Sequence, residues 1–249
     1  MIDVTTARHR ARLAIGPQDM ARAQSLRHLA FRGGPGLDCD PFDDAACQIL
    51  VESQAGEVLA TFRFRLFPQG ADLNNSYVAQ FYDLSAFAAQ AGPKAEVGRL
   101  CLHPDATDPE VLRLTWAALA RLCLGQGVRH LFGCSSFSGA APLRHGAALA
   151  WLNHHALGPE PFRPRPKAGA GISIGGPNPD PKDLPQLLRF YLQMGAWVAD
   201  HAMIDPDLDT VFVFVALDVS TIPKARTKAL RALAAHGQRP GMILADMSQ

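Results

Sequence analysis

The sequence predicts an α/β protein in which one mixed sheet carries helices packed on both of its faces. Three observations predict it. Segments with apolar residues every three to four positions interleave with segments that alternate or are β-branched. Their order is strand, helix, two strands, irregular cover, strand, helix, strand, helix, long loop, helix, strand, without the regular alternation of a doubly wound fold. The length of 249 residues suits one sizeable core, so we expect a single domain over 1–249 with its core at about 10–218.

Each element has a local warrant. Arg12-Leu-Ala-Ile15 is a short apolar run, and Pro17 follows at a position suited to a first helical turn. Met20, Ala23, Leu26, Ala30 and Phe31 mark one helical face, which Gly33, Gly34, Pro35 and Gly36 end. Cys47–Glu52 and Val58–Phe67 read as a hairpin whose second strand alternates Phe62, Phe64 and Leu66 with Arg63 and Arg65. Phe81–Ala91 reads as a short helix or irregular cover, and Lys94–Leu102 as the next strand, closed by His103-Pro104-Asp105. Pro109–Leu124 places Val111, Leu112, Thr115, Leu119 and Leu122 on one helical face before Gly125. Val128–Cys134 reads as a buried strand, Ala140–His155 as helical, and Pro159–Asp183 as a Pro/Gly-rich excursion. Leu184–Val198 returns to helical spacing, and Val211–Leu217 is a β-branched strand. The stretch from Pro223 to His236 reads as a basic, moderately amphipathic helix bearing Lys224, Arg226, Lys228 and Arg231.

Bulk properties exclude several classes. A formal net charge of +1 lacks the excess of Lys and Arg that neutralises phosphates, so no nucleic-acid partner is expected. Five cysteines, Cys39, Cys47, Cys101, Cys123 and Cys134, contain no C-x-x-C pair, which argues against a disulfide framework and a zinc cluster. Asp205-Pro-Asp-Leu-Asp209 opens like a calcium loop, but Thr210 and Ala216 stand where Gly and Glu are needed. No metal site is expected. No segment reaches the roughly 20 apolar residues of a membrane span, and the N-terminus has no signal-peptide core, so a cytoplasmic location is expected.

Six stretches carry a more specific signal: Leu29-Ala-Phe-Arg-Gly-Gly34, Asp38-Cys-Asp-Pro-Phe-Asp43, Gly56-Glu-Val-Leu-Ala-Thr-Phe-Arg63, Glu96-Val-Gly-Arg-Leu-Cys-Leu-His-Pro-Asp105, His130-Leu-Phe-Gly-Cys-Ser-Ser-Phe137 and Tyr191-Leu-Gln-Met-Gly-Ala-Trp-Val198. In this order the chain resembles the L-ornithine N-alpha-acyltransferases of ornithine lipid synthesis, a GNAT-like group related to acyl-homoserine lactone synthases. The resemblance implies a GNAT-like fold with a mostly antiparallel mixed sheet. It also implies transfer of a 3-hydroxyacyl group from acyl carrier protein to the α-amine of ornithine, giving a lyso aminolipid. No cofactor is implied; the donor is the thioester on the carrier's phosphopantetheine.

The resemblance also assigns roles. An α-amine with a pKa of about 8 is mostly protonated at neutral pH and profits from a base. In the related lactone synthases the Glu of a Glu-x-x-Arg motif is the proposed base, which points to Glu96 with Arg99 as the catalytic pair. Asp40 and Asp43 with Arg63, and more weakly Arg32, are expected to shape the amino-acid site, joined by Cys134 and Ser135. On a regular strand Glu96 and Arg99 face opposite sides, so they share a site only if the strand is bulged, as is typical of this strand in GNAT folds, or if the acidic loop bridges them. CoA-dependent GNAT enzymes hold pyrophosphate on a glycine-rich loop after this strand, whereas His103–Pro109 has no glycine. That departure favours a carrier protein, met by the Arg and Lys residues between Arg113 and Lys167. The alternatives are the same reaction on glutamine or another amino acid, an acyl-homoserine lactone synthase, or a carrier-protein or membrane binding module without chemistry. The basic helix offers peripheral contact with an inner membrane, against the default of a solvated helix.

Overall fold

The computed structural model describes residues 2–68, 72–167 and 171–235. β1 (Asp3–Thr5) and β2 (His9–Leu13) precede α1 (Gly16–Arg32), and β3 (Cys47–Ser53) and β4 (Val58–Phe67) form the expected hairpin. β5 (Tyr82–Asp83) and α2 (Ser85–Ala88) make up the cover before β6 (Lys94–Leu102), α3 (Pro109–Gly125) and β7 (His130–Ser138). α4 (Gly146–His155), β8 (Arg165–Pro166), β9 (Ile172–Ser173) and α5 (Gln186–Gln193) lead to β10 (Trp197–Asp205), β11 (Thr210–Asp218) and α6 (Lys224–Ala235).

Nine strands form one sheet in the order β1-β2-β3-β4-β6-β7-β11-β10-β9, and β5 pairs with β8 separately. Of the pairings in the large sheet only β6 with β7 is parallel, so the sheet is mixed and mostly antiparallel. Its two faces are read from alternate residues of one strand. Phe62 of β4 joins the core built with α3, through Leu114 and Leu119, while Arg63 points the other way and meets the partners of Arg27 on α1. On β11, Val211, Val213 and Val215 join the first core, and Phe212, Phe214 and Ala216 a second, aromatic one with Phe87 and Tyr82. Helix caps follow from sequence: Asp108 accepts the Glu110 amide at the start of α3, with Pro109 in its first turn.

Some boundaries differ from the sequence reading. β2 begins earlier than Arg12, and β1 was not foreseen. A 3-10 turn at Pro142–His145 replaces the start of the helix expected from Ala140, and β7 runs on to Ser138. The helix expected over Leu184–Val198 stops at Gln193, because Gly195 adopts φ 95°, and the chain turns into β10. Ala168–Ala170 of the long excursion, His236 and the residues after it, and the side chain of Arg231 lie outside the described residues.

Candidate active site

The site forms where β6 parts from its neighbours. β6 pairs with β4 through Gly98↔Arg63 and resumes at Cys101↔Thr61, so Arg99 and Leu100 stand opposite Phe62 alone. This is a β-bulge, and Arg99 sits in the left-handed region at φ 52°. Glu96 and Gly98 pair with Arg65 and Arg63 and share their face. The bulge turns Arg99 onto that same face, where it and Arg63 both reach Asp40. The geometric condition for Glu96 and Arg99 to act together is therefore met.

On its other side β6 pairs with β7 only at Lys94↔His130, Ala95↔Leu131 and Glu96↔Phe132. Beyond these pairs lies a cavity of about 430 Å³, walled by Glu96, Val97, Gly98, Arg99 and Leu100 on one strand and Gly133, Cys134, Ser135, Ser136 and Ser138 on the other. The backbones nearly touch once: a Cβ on Gly133 would lie 2.3 Å from the Val97 carbonyl oxygen, so no larger residue fits without separating the strands. Val97, Gly133, Cys134 and Tyr191 also wall a small chamber of about 20 Å³. That chamber shares Leu131 and Leu217 with an apolar one of about 100 Å³ lined by Trp116, Leu119, Cys123, Met194 and Ile222.

Glu96 is only 4% exposed. Its Oε1 accepts the Val78 amide at 2.9 Å and its Oε2 the Tyr77 amide at 3.1 Å. Burial raises its carboxyl above the ordinary range, although those two amides and the positive charges of Arg63 and Arg65 pull it back down. The result is a carboxylate held in one orientation with enhanced basicity.

The acidic loop forms an ion lattice behind this wall. Arg27, with no exposed surface, donates to Asp38 at 2.9 Å and to Asp43 at 2.7 Å. Arg63 donates to Asp40 at 2.5 Å and to Asp43 at 3.0 Å. Arg99 donates to Asp40 at 3.1 Å and lies 3.2 Å from Asp38. Arg99 is thus tied to Asp40 and Asp38, and it is Arg27 and Arg63 that hold Asp43. Burial opposes ionisation of Asp43, but the hydrogen bonds from Arg27 and Gln24 outweigh it and leave its carboxyl below the usual value.

The structure brings together Glu96, Arg99, Arg63, Cys134 and Ser135 around the cavity. Asp40 and Asp43 stand behind the wall as supports for the two arginines. Arg32 turns outward to Asp207, at 2.5 Å, and does not line the cavity. The Cys134 thiol is pushed well above its ordinary value, chiefly by burial and then by the nearby charges of Glu96 and Asp205, which suits a neutral wall residue and not a nucleophile. Tyr77 and Asp205 are among the lining residues that were not foreseen. The phenol of Tyr77 donates to Asp205 Oδ2 at 3.3 Å, and its ring lies under the guanidinium groups of Arg63 and Arg99. Among the described residues one metal-type grouping occurs elsewhere, His9 with Asp108 and Glu110, but Arg8 pairs with both acids and Asp108 is the cap of α3, so it reads as structural.

Residues 26–117 match the acetyltransferase (GNAT) domain family, a span that contains β6, its bulge and the ion lattice. The chain is an acyltransferase with a GNAT-like fold. Its curated relatives include the L-ornithine N(alpha)-acyltransferases of Rhodobacter capsulatus, 28% identical with 85% of this chain and 90% of that one covered, and of Brucella abortus, 26% identical with 85% and 84% covered. The resemblance read from the six stretches therefore holds across most of the acyltransferase. Among solved structures, an N-acyl amino acid synthase from uncultured soil microbes aligns with a TM-score of 0.48 at 14% identity, covering 94% of this chain and 98% of that one. A CoA-dependent acyl-homoserine lactone synthase aligns with a TM-score of 0.49 at 14% identity, covering 89% and 86%.

Proposed function

We propose that this acyltransferase moves an acyl group from the phosphopantetheine thioester of acyl carrier protein to the α-amine of L-ornithine, without a cofactor, in membrane aminolipid synthesis. The observation that carries the reading is the placement of Glu96 and Arg99 on one wall of the cavity between β6 and β7. The acceptor enters with its carboxylate toward Arg99. Its neutral amine forms the new C–N bond at the thioester carbonyl, Glu96 takes the proton released from nitrogen, and the C–S bond breaks to release the carrier's thiolate, to which the proton held on Glu96 then passes to give the thiol. We place the donor's tail along the two smaller chambers, which share wall residues with the cavity and with each other in the direction of Trp116 and Met194. That course, and a Glu96 that forms no direct ion pair among the described residues, favour an enzyme over a binding module.

A carrier-protein donor is supported at the start of α3. CoA pyrophosphate would need free amides and positive potential there. Instead the carboxylate of Asp108 occupies the Glu110 amide at 2.9 Å, and Glu110 adds a second negative charge. No helix among the described residues is long and apolar enough to cross a membrane. The acyltransferase acts in the cytoplasm, peripheral to the inner membrane that receives its product.

Incubating the purified protein with 3-hydroxyacyl carrier protein, or with the matching acyl-CoA, and a panel of amino acids tests this reading, with products identified by mass spectrometry. Acyl-ornithine formed from the carrier-bound donor is the expected product. Absence of any acylated amino acid would overturn the reading.

A further inference from the structure

The two carboxylates in the cavity wall are not ion-paired with its two cations. Arg63 and Arg99 are each engaged by the aspartates of the acidic loop. Glu96 and Asp205 are both buried in the wall, at 4% and 7% exposure, and neither has an ion-pair partner among the described residues. Buried carboxylates without a counter-charge are costly, so such a pair is a place where a cationic ligand is strongly favoured. Tyr77 sets their separation: its backbone amide ends on Glu96 and its phenol on Asp205, so the carboxylates stand at opposite ends of one tyrosine residue. Asp205 is also fixed in orientation, because its Oδ1 accepts the amides of Asp207 at 3.0 Å and Leu208 at 3.1 Å, leaving Oδ2 to Tyr77 and the cavity. Next to it on β11, the buried hydroxyl of Thr210 lines the cavity and has no hydrogen-bond partner among the described residues.

We infer that Asp205 is the specificity-determining residue of the acceptor site, binding the side-chain ammonium of a diamino acid while Glu96 faces the α-amine. This rests on the amino-acid N-acyltransferase reading above and names what selects its acceptor. A chain of ornithine length holds its two nitrogens about 6 Å apart when extended, the span of a tyrosine ring and its flanking bonds. The side-chain ammonium then has Asp205 Oδ2 as counter-charge and the Thr210 hydroxyl as a second acceptor. An acceptor with an uncharged side chain leaves Asp205 buried without a counter-ion, which penalises it by the same electrostatics that rewards the diamine.

The test is a ratio of kcat/KM values for ornithine and norvaline, its analogue without the side-chain amine, measured with the carrier-bound donor. The wild type is expected to favour ornithine by at least tenfold. Asp205→Asn removes the charge yet keeps an oxygen for the Asp207 and Leu208 amides, and it is expected to erase at least tenfold of that preference. Asp205→Glu advances the carboxylate by one methylene and is expected to shift preference from ornithine toward 2,4-diaminobutyrate, a gain that misfolding cannot produce. An ornithine preference unchanged in Asp205→Asn, with no shift in Asp205→Glu, overturns the inference and leaves the N-acyltransferase reading intact. A wild type that acylates no amino acid overturns both.

Discussion

Glu96 combines two properties that are seldom joined: it is buried, and it is held open to a cavity by backbone amides and not closed off by a cation. Because its carboxyl titrates above the ordinary range and only the ionised form can accept a proton, activity should rise with pH through that elevated value. Glu96→Gln is expected to lower kcat by about 10²–10⁴-fold and to flatten this rising limb while the circular dichroism spectrum is unchanged. Arg27 plays a different part, since it has no exposed surface and does not line the active-site cavity. Replacing it by Met leaves Asp38 and Asp43 buried without their main partner and should cost about 3–5 kcal/mol in urea unfolding at neutral pH. The sign of the pH effect follows from Asp43: its folded value lies below the ordinary 3.8, so its contribution is present above that pH and is lost as pH falls further. Wild-type stability should therefore drop on acidification below about pH 4, and Arg27→Met should drop less.

Among the elements, the bulged strand decides what can meet. A bulge was one of two ways for Glu96 and Arg99 to share a site, the other being a bridge by the acidic loop, and its register could not be read from Lys94–Leu102, because alternation alone puts Arg99 on the far face. Arg99 holds an unfavourable backbone conformation for its ion contacts, and the two effects can be separated. Arg99→Ala and Arg99→Gly both lose the contacts with Asp38 and Asp40, but only glycine is relaxed at φ 52°. The glycine variant should be the more stable by about 1 kcal/mol, or about 2–4 °C in Tm, by thermal melting. The same comparison of residue with element explains Asp205. The hairpin, β4, β6, α1 and α3 were legible because their apolar spacing is clean. β10 was not, since its register shifts between Val198 and Ala202 and breaks the period of two, so Asp205 stood outside every expected element. Tyr77 gave no signal at all, because it sits just before a short 3-10 turn, Val78–Gln80, and its amide is held by Glu96.

On the scale of the whole molecule, the two cores cannot come apart separately. Val213 and Val215 belong to one and Phe212 and Phe214 to the other, so losing either core means losing β11. Urea unfolding should accordingly be a single transition, with far-ultraviolet circular dichroism and tryptophan fluorescence giving coincident midpoints. The fluorescence reports on both cores, since Trp116 lies in the first and Trp197 packs on the second. Two separated midpoints would contradict this.

The parting of β6 from β7 has one further consequence. Strand edges that expose unpaired amides and carbonyls are templates for another chain, and proteins blunt them with charge, proline or cover. Here the sheet ends its ladder after Phe132 in its middle and not at its rim, so the two raw edges face each other across the cavity. The enzyme gains backbone polar groups for chemistry while presenting no additional margin on which a neighbouring molecule could begin to aggregate.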